Sequence, residues 1–265
     1  MTDRDFLWLA LAFYAASGVL TLRRLRAGGS SSTLHLMNYV AMSCGFALHT
    51  AFLIMRGRDI GRCPLTTPFE ATVFIAWAAV LFYLLIGPSY RVSFLGAFTA
   101  PLVLAINLVA LLGLTDAPRV EPLARSPWVE FHAAIAILAY GAFALAFVVG
   151  AMYLLQERQL KSRQLGPSFL LLPSIEQLDV INLRLILLGF VMLTVGMIGG
   201  YVSYQIVGHW TKPKIVWAVA AWLVYALLLT ARFAWSLRGK RNAVVSMVSF
   251  AFVLVSFWGV SLIKP

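Results

Sequence analysis

Charge is scarce in this sequence: Asp, Glu, Lys and Arg make up only 12% of its 265 residues, about half the share of an ordinary soluble domain. A chain so poor in charge cannot be solvated on all sides. Acids are scarcer still, with 10 Asp and Glu against 21 Lys and Arg. Every acid falls at the end of an apolar run or in a connection, which argues against a proton relay or a carrier of charged substrates, since those place ionisable groups deep in the membrane. There are two cysteines, Cys44 inside an apolar run and Cys63 in a connection, with no C-x-x-C spacing. A disulfide framework and a thiolate zinc site are therefore excluded. No Walker loop, dinucleotide fingerprint or hydrolytic triad is present, so the expectation is a binding protein and not an enzyme.

What the chain has is apolar sequence, 61% hydrophobic residues in runs long enough to cross a bilayer. A hydrocarbon core about 30 Å thick needs about 20 helical residues per crossing. Eight segments qualify, near residues 6–22, 34–55, 71–87, 93–114, 128–155, 184–207, 215–235 and 243–263. The expected fold is all-α, a single polytopic transmembrane bundle of eight helices. The first run follows an acidic stretch and lacks a small-residue cleavage site, so it reads as a retained helix. Residues 156–183 form the longest connection, expected on the cytoplasmic surface. Its stretch SFLLLPSIEQLDVI reads either as an interfacial helix broken at Pro173 or as a loop folded beneath the bundle.

The formal net charge of +11 does not point to nucleic acid, because the basic residues are gathered between apolar runs. Such clusters orient helices and meet anionic head groups, so the expected partner is the lipid bilayer and the expected location the bacterial cytoplasmic (inner) membrane. RRLR after the first segment, ERQLKSR after the fifth and SLRGKR after the seventh fall on one side, which holds twelve of the 21 basic residues. Placing that side in the cytoplasm puts the N and C termini outside.

Histidines interrupt the apolar pattern. His49 lies inside the second segment and His132 about one turn into the fifth, both toward the outer leaflet. An imidazole there either ligates a metal such as haem iron or is hydrogen-bonded to a neighbouring helix. Two could form an axial pair if their helices are neighbours. Trp128, His132 and Ile135 share a helical face, placing aromatic and apolar groups beside a candidate ligand. His209 and Trp210 sit in the outer stretch YQIVGHWTKPK, which reads as a cover over a ligand or as an interfacial anchor. Arg56, Arg58 and Arg62 crowd the outer side after the second segment, where guanidinium groups fit either haem propionates or lipid head groups. Gly196 and Gly200 make a G-x-x-x-G that predicts a close helix contact.

Four stretches together resemble the cytochrome c assembly membrane family, which includes CcsA, CcmC and the HemX-like proteins. They are CPLTTPFEATVFIAW, FHAAIAILAYGAFALAFVVGAMYLLQERQLK, FLLLPSIEQLDVINLRLILLGF and KIVWAVAAWLVYALLLTARFAWSLRGKRNAVVSMVSF. The resemblance spans residues 34–262. It implies a bundle that handles haem near the outer leaflet, working with other cytochrome c maturation or haem-synthesis proteins. It also implies that His132 is the outer-facing haem ligand. The family's tryptophan-rich outer signature is reduced to Trp210, Trp217 and Trp222 without its terminal acid. Thr230 stands where the full exporters carry a helix histidine, and SFWGVSLIKP lacks the second outer one. These departures resemble the shorter HemX-like branch. The expected function is thus a haem-binding or haem-presenting accessory protein in cytochrome c biogenesis, with His132 as ligand and His49 or His209 as the second. The alternatives are a membrane regulator of a haem-synthesis enzyme that contacts its target through the connection at 156–183, and a small-molecule transporter.

Overall fold

The computed structural model describes residues 2–26, 32–90, 95–114, 116, 127–162, 172–207, 212–236 and 238–262. They form eight α-helices, α1 (Asp3–Arg26), α2 (Ser32–Ile60), α3 (Pro68–Tyr90), α4 (Leu95–Gly113), α5 (Pro127–Ser162), α6 (Ile175–Val207), α7 (Lys212–Ala234) and α8 (Lys240–Leu262). All eight are long and apolar enough to cross a membrane. The eight segments expected from the sequence therefore coincide with the eight helices of the described residues. Successive helices run in opposite directions, so α1 begins and α8 ends at the same face of the bundle, called here the terminal face.

Several helices outlast their apolar runs. The fifth run ends near residue 155 whereas α5 continues to Ser162, and the sixth starts near 184 whereas α6 begins at Ile175. The connection expected over 156–183 is thus largely helix, with only 163–171 outside the described residues. Hydropathy marks the part of a helix that meets hydrocarbon, and ERQLKS and IEQLDVINL extend past it as ordinary helix. Pro173 precedes α6 and does not break it. Ser174 caps the start: its Oγ accepts from the Gln177 N–H at 3.2 Å, and its own N–H donates to Gln177 Oε1 at 3.3 Å.

α3 and α5 are the most thoroughly buried helices and hold the bundle together. α1 packs on α2 and α4, and α2 and α4 pack against α3; α6 and α8 pack on α5, and α7 closes the far side against α6 and α8. The α3–α5 contact depends on Gly141. A Cβ there would overlap Ala78 Cβ and lie 2.9 Å from the Ala78 carbonyl carbon. Backbone cannot yield as a side-chain tip can, so Gly141→Ala should cost about 1–3 kcal/mol, read as a lowered unfolding temperature in detergent. Gly18→Ala is the matched control: nothing lies within 4 Å of a Cβ added in α1, and stability should stay level or rise slightly.

Where α7 stands off from α5, aromatic rings fill the gap. Phe143 and Tyr225 stack with centroids 3.5 Å apart, and Tyr140 meets Trp217 at 5.5 Å. Trp217 Nε1 donates to Ser256 Oγ at 3.1 Å and Trp222 Nε1 to Thr194 Oγ1 at 3.0 Å, so both indoles are tied into the packing of α6 to α8.

Candidate functional site

α5 starts at the terminal face with Pro127, whose fixed φ and missing N–H suit a first helical position. One turn later His132 is half-buried against α6. Gly196 makes the close contact expected of it, since a Cβ there would lie 3.2 Å from Ala136 Cβ, and Gly199, outside the expected Gly196–Gly200 pair, adds a second approach, with a Cβ 3.6 Å from His132 Cβ. Small residues on α6 thus bring its backbone up to the imidazole. The His132 Nδ1–H donates to the Gly196 carbonyl oxygen. A carbonyl only accepts, so Nδ1 must carry the proton, and in the neutral ring the lone pair resides on Nε2. This is how metal-binding histidines are commonly oriented, with one nitrogen tethered to a carbonyl and the other turned to the metal. Trp128 and Phe131, on the first turns of the same helix, are both exposed and meet edge to face at 6.4 Å.

His49 is placed differently. It is fully buried, with Nδ1 3.3 Å from the Tyr14 hydroxyl of α1, and Phe52 lies beside it. Its Nε2 has no hydrogen-bond partner among the described residues. Among the described residues α2 packs on α1, α3 and α4 and has no substantial contact with α5, while α3 packs on both histidine-bearing helices. His49 and His132 are therefore not brought together on neighbouring helices. His209 and Trp210 lie outside the described residues.

Of the outer arginines, Arg56 is engaged on every nitrogen by carboxylates of this chain. Nε donates to Glu70 Oε1 at 3.1 Å, Nη1 to Asp3 Oδ2 at 3.3 Å, and Nη2 to Asp116 Oδ1. Arg4 adds a second cation on Asp116 at 2.7 Å. Glu70 is itself locked by a capping box: its Oε2 accepts the Thr67 N–H at 3.2 Å while Thr67 Oγ1 accepts the Glu70 N–H at 3.1 Å. The network ties α1, α2, α3 and Asp116, three residues beyond α4, at the terminal face, which gives Arg56 a structural role. Arg58 is exposed. Arg62 is half-buried, and its Nε has no hydrogen-bond partner among the described residues.

Cys63 sits beside this network. Burial raises its thiol above the ordinary range, and the negative charges of Glu130 and Glu70 raise it further. The reactive thiolate is then scarce at neutral pH. Alkylation by iodoacetamide in a Cys44→Ser background should be slower than for a small free thiol at pH 7.4. It should keep accelerating to higher pH, and Glu130→Gln should speed it.

Asp179, expected in the connection over 156–183, proves to be inside a helix. In the second turn of α6 it binds both Nη atoms of Arg232 on α7, and that arginine is 8% exposed. Nearby, Asn182 donates to the Ala146 carbonyl at 2.7 Å and accepts from Asn242 at 3.1 Å, joining α5, α6 and α8. Among the described residues no group of three or more His, Cys, Asp and Glu is arranged to hold a metal ion.

A polytopic helix bundle with an oriented histidine at one face, braced by buried polar ties, is the class of protein that the fold and site define. The profile of the cytochrome C assembly protein family matches residues 65–265, which contain α3 to α8. A protein named cytochrome c biogenesis protein CcsA from Synechococcus sp. (strain CC9902) is 32% identical over 244 residues, covering 82% of this chain and 80% of that protein. The CcsA of Synechococcus sp. (strain RCC307) is 29% identical over 283 residues, covering 96% and 88%, so similarity also takes in α1 and α2. That of Chlamydomonas reinhardtii is 29% identical over 235 residues, covering 84% and 65%. This chain belongs to the cytochrome c assembly protein family. The similarity is to CcsA proteins and does not single out the shorter HemX-like branch.

Proposed function

We propose that the protein receives haem at its terminal face and presents it for cytochrome c assembly, with His132 as an axial ligand. The observation that carries this reading is the hydrogen bond from His132 Nδ1–H to the Gly196 carbonyl, which fixes the tautomer with its lone pair on Nε2. Haem iron takes such a nitrogen, and the exposed Trp128 and Phe131 offer apolar surface beside it for a porphyrin. Haem would supply a redox-active iron whose potential depends on its axial ligands and burial. The chain's own part is to hold, orient and partly desolvate. Arg56 is taken up by carboxylates, so among the candidate arginines we assign propionate pairing to the exposed Arg58. His209, in the segment between α6 and α7, would be the second residue to hold the iron, because α3 packs between the His49 helix and α5.

The protein acts in this reading by binding and not by catalysis, and a partner in cytochrome c maturation carries out covalent attachment. The names of the CcsA relatives support the process. The basic clusters support a cytoplasmic-membrane location with the terminal face outward, so Cys63 should label with a membrane-impermeant maleimide in intact cells.

Chemical rescue tests the ligand directly. His132→Gly should bind haem without the absorption band of the wild type, and added imidazole should restore that band by occupying the vacated place. A band of wild-type shape in His132→Gly without imidazole would remove His132 as the ligand.

A further inference from the structure

Most cations that the described part of the bundle buries have carboxylate partners: Arg56 has three, and Arg232 holds Asp179 with both Nη atoms. On the face opposite the terminal one, the exposed Lys161 also has one, Glu157 at 2.6 Å. The turn between α7 and α8 on that face differs. Arg238, Lys240 and Arg241 are all exposed there and form no ion pair among the described residues. Gly239, at φ 67°, brings the turn against α5, where a Cβ would lie 3.0 Å from the Tyr153 hydroxyl. That approach sets the exposed Arg158, little more than one turn further along α5, on the same side of the bundle as the three cations.

The end of α7 and the residue that follows it carry apolar side chains outward just before these charges, with Phe233 65% and Trp235 74% exposed. A tryptophan at this level sits where acyl chains give way to head groups. Uncompensated cations directly beyond an exposed aromatic pair match one amphiphile in charge and in polarity.

We propose that the α7–α8 turn is a binding site for an anionic phospholipid, its phosphate held by Arg238, Lys240 and Arg241 and its upper acyl chain resting on Phe233 and Trp235. Recognition does not depend on which leaflet the turn faces. An acidic protein segment would meet the charges but would gain nothing from aromatics at acyl-chain depth, which favours lipid. The site lies across the bundle from His132 and does not require that haem bind there.

The test compares phospholipid retained by detergent-purified protein after exchange with equimolar phosphatidylglycerol and phosphatidylcholine. The wild type should retain phosphatidylglycerol preferentially, and each charge removed should weaken that preference by about fivefold. The triple variant Arg238→Gln, Lys240→Gln, Arg241→Gln should therefore lose it, while Arg238→Lys, Arg241→Lys should keep it. Trp235→Ala should weaken retention of phosphatidylglycerol while leaving the charge unchanged. The substituted side chains are exposed, and an unchanged unfolding temperature verifies that the fold persists. Equal retention of both lipids by the wild type, or an undiminished preference in the triple variant, would overturn the proposal. Loss of preference in the triple variant with undiminished retention of phosphatidylglycerol in Trp235→Ala would also overturn it, in favour of a purely acidic partner.

Discussion

Cells whose sole copy of this protein carries His132→Ala should fail to accumulate c-type cytochromes while keeping the protein itself at its normal level. The half-buried imidazole donates to the Gly196 carbonyl of α6, and losing that bond costs about 1 kcal/mol, too little to unfold a bundle braced by many other contacts. Loss of an orienting partner of a metal ligand typically weakens binding about 10–100-fold, and loss of the ligand itself should do at least as much. Haem staining of membrane fractions reads the cytochromes, and immunoblotting reads the protein. His132→Gln should also fail, since a carboxamide can reach the Gly196 carbonyl but cannot replace imidazole at iron. Rescue by glutamine would mean that the residue matters for helix packing and not for ligation.

The second large effect falls on stability. Arg56→Ala should lower stability by about 3–5 kcal/mol, the usual result of removing one partner from a buried ionic cluster. Three carboxylates converge on this guanidinium, and the Glu70 side chain is only 2% exposed. Without Arg56, Glu70 keeps its bonds to Thr66 and Thr67 through Oε2, but Oε1 is left buried with no partner. Asp3 and Asp116 lose the cation they share. Thermal unfolding in detergent should show a large fall in midpoint for Arg56→Ala and almost none for Arg58→Ala, whose side chain is exposed. Equal effects would show that the network does not brace the terminal face.

The fold was legible because lipid imposes a coarse, regular demand on sequence. A run of about 20 apolar residues has few interpretations, and each of the eight became a helix. Helix ends were less legible by hydropathy, as α6 illustrates by starting nine residues before its apolar run at Arg184. A local signal existed there. Ser174 followed three residues later by Gln177, directly after Pro173, is a capping box, as is Thr67 with Glu70. Those pairs fix helix starts where hydropathy is silent.

The site was legible one residue at a time and not as an arrangement. His132 stood out as an imidazole in an apolar run, but that Gly196 and Gly199 admit the α6 backbone to its Nδ1 is a fact of packing. Arg56 and Arg58 looked equivalent two residues apart. On a helix that spacing points side chains to different sides, and here one meets three acids and the other is exposed. Pairing His49 with His132 required knowing which helices touch, and chain order does not reveal that α3 lies between them. The bond between Asp179 and Arg232, 53 residues apart in sequence, was hidden for the same reason.

The visible absorption spectrum of detergent-purified protein titrated with haem tests the central claim most directly. The wild type should develop a saturable Soret band with the position expected of histidine-ligated iron, and His132→Ala, folded by its unfolding temperature, should show only the spectrum of unligated haem. Identical Soret bands in the two proteins would contradict the assignment of His132 as the residue that holds the iron.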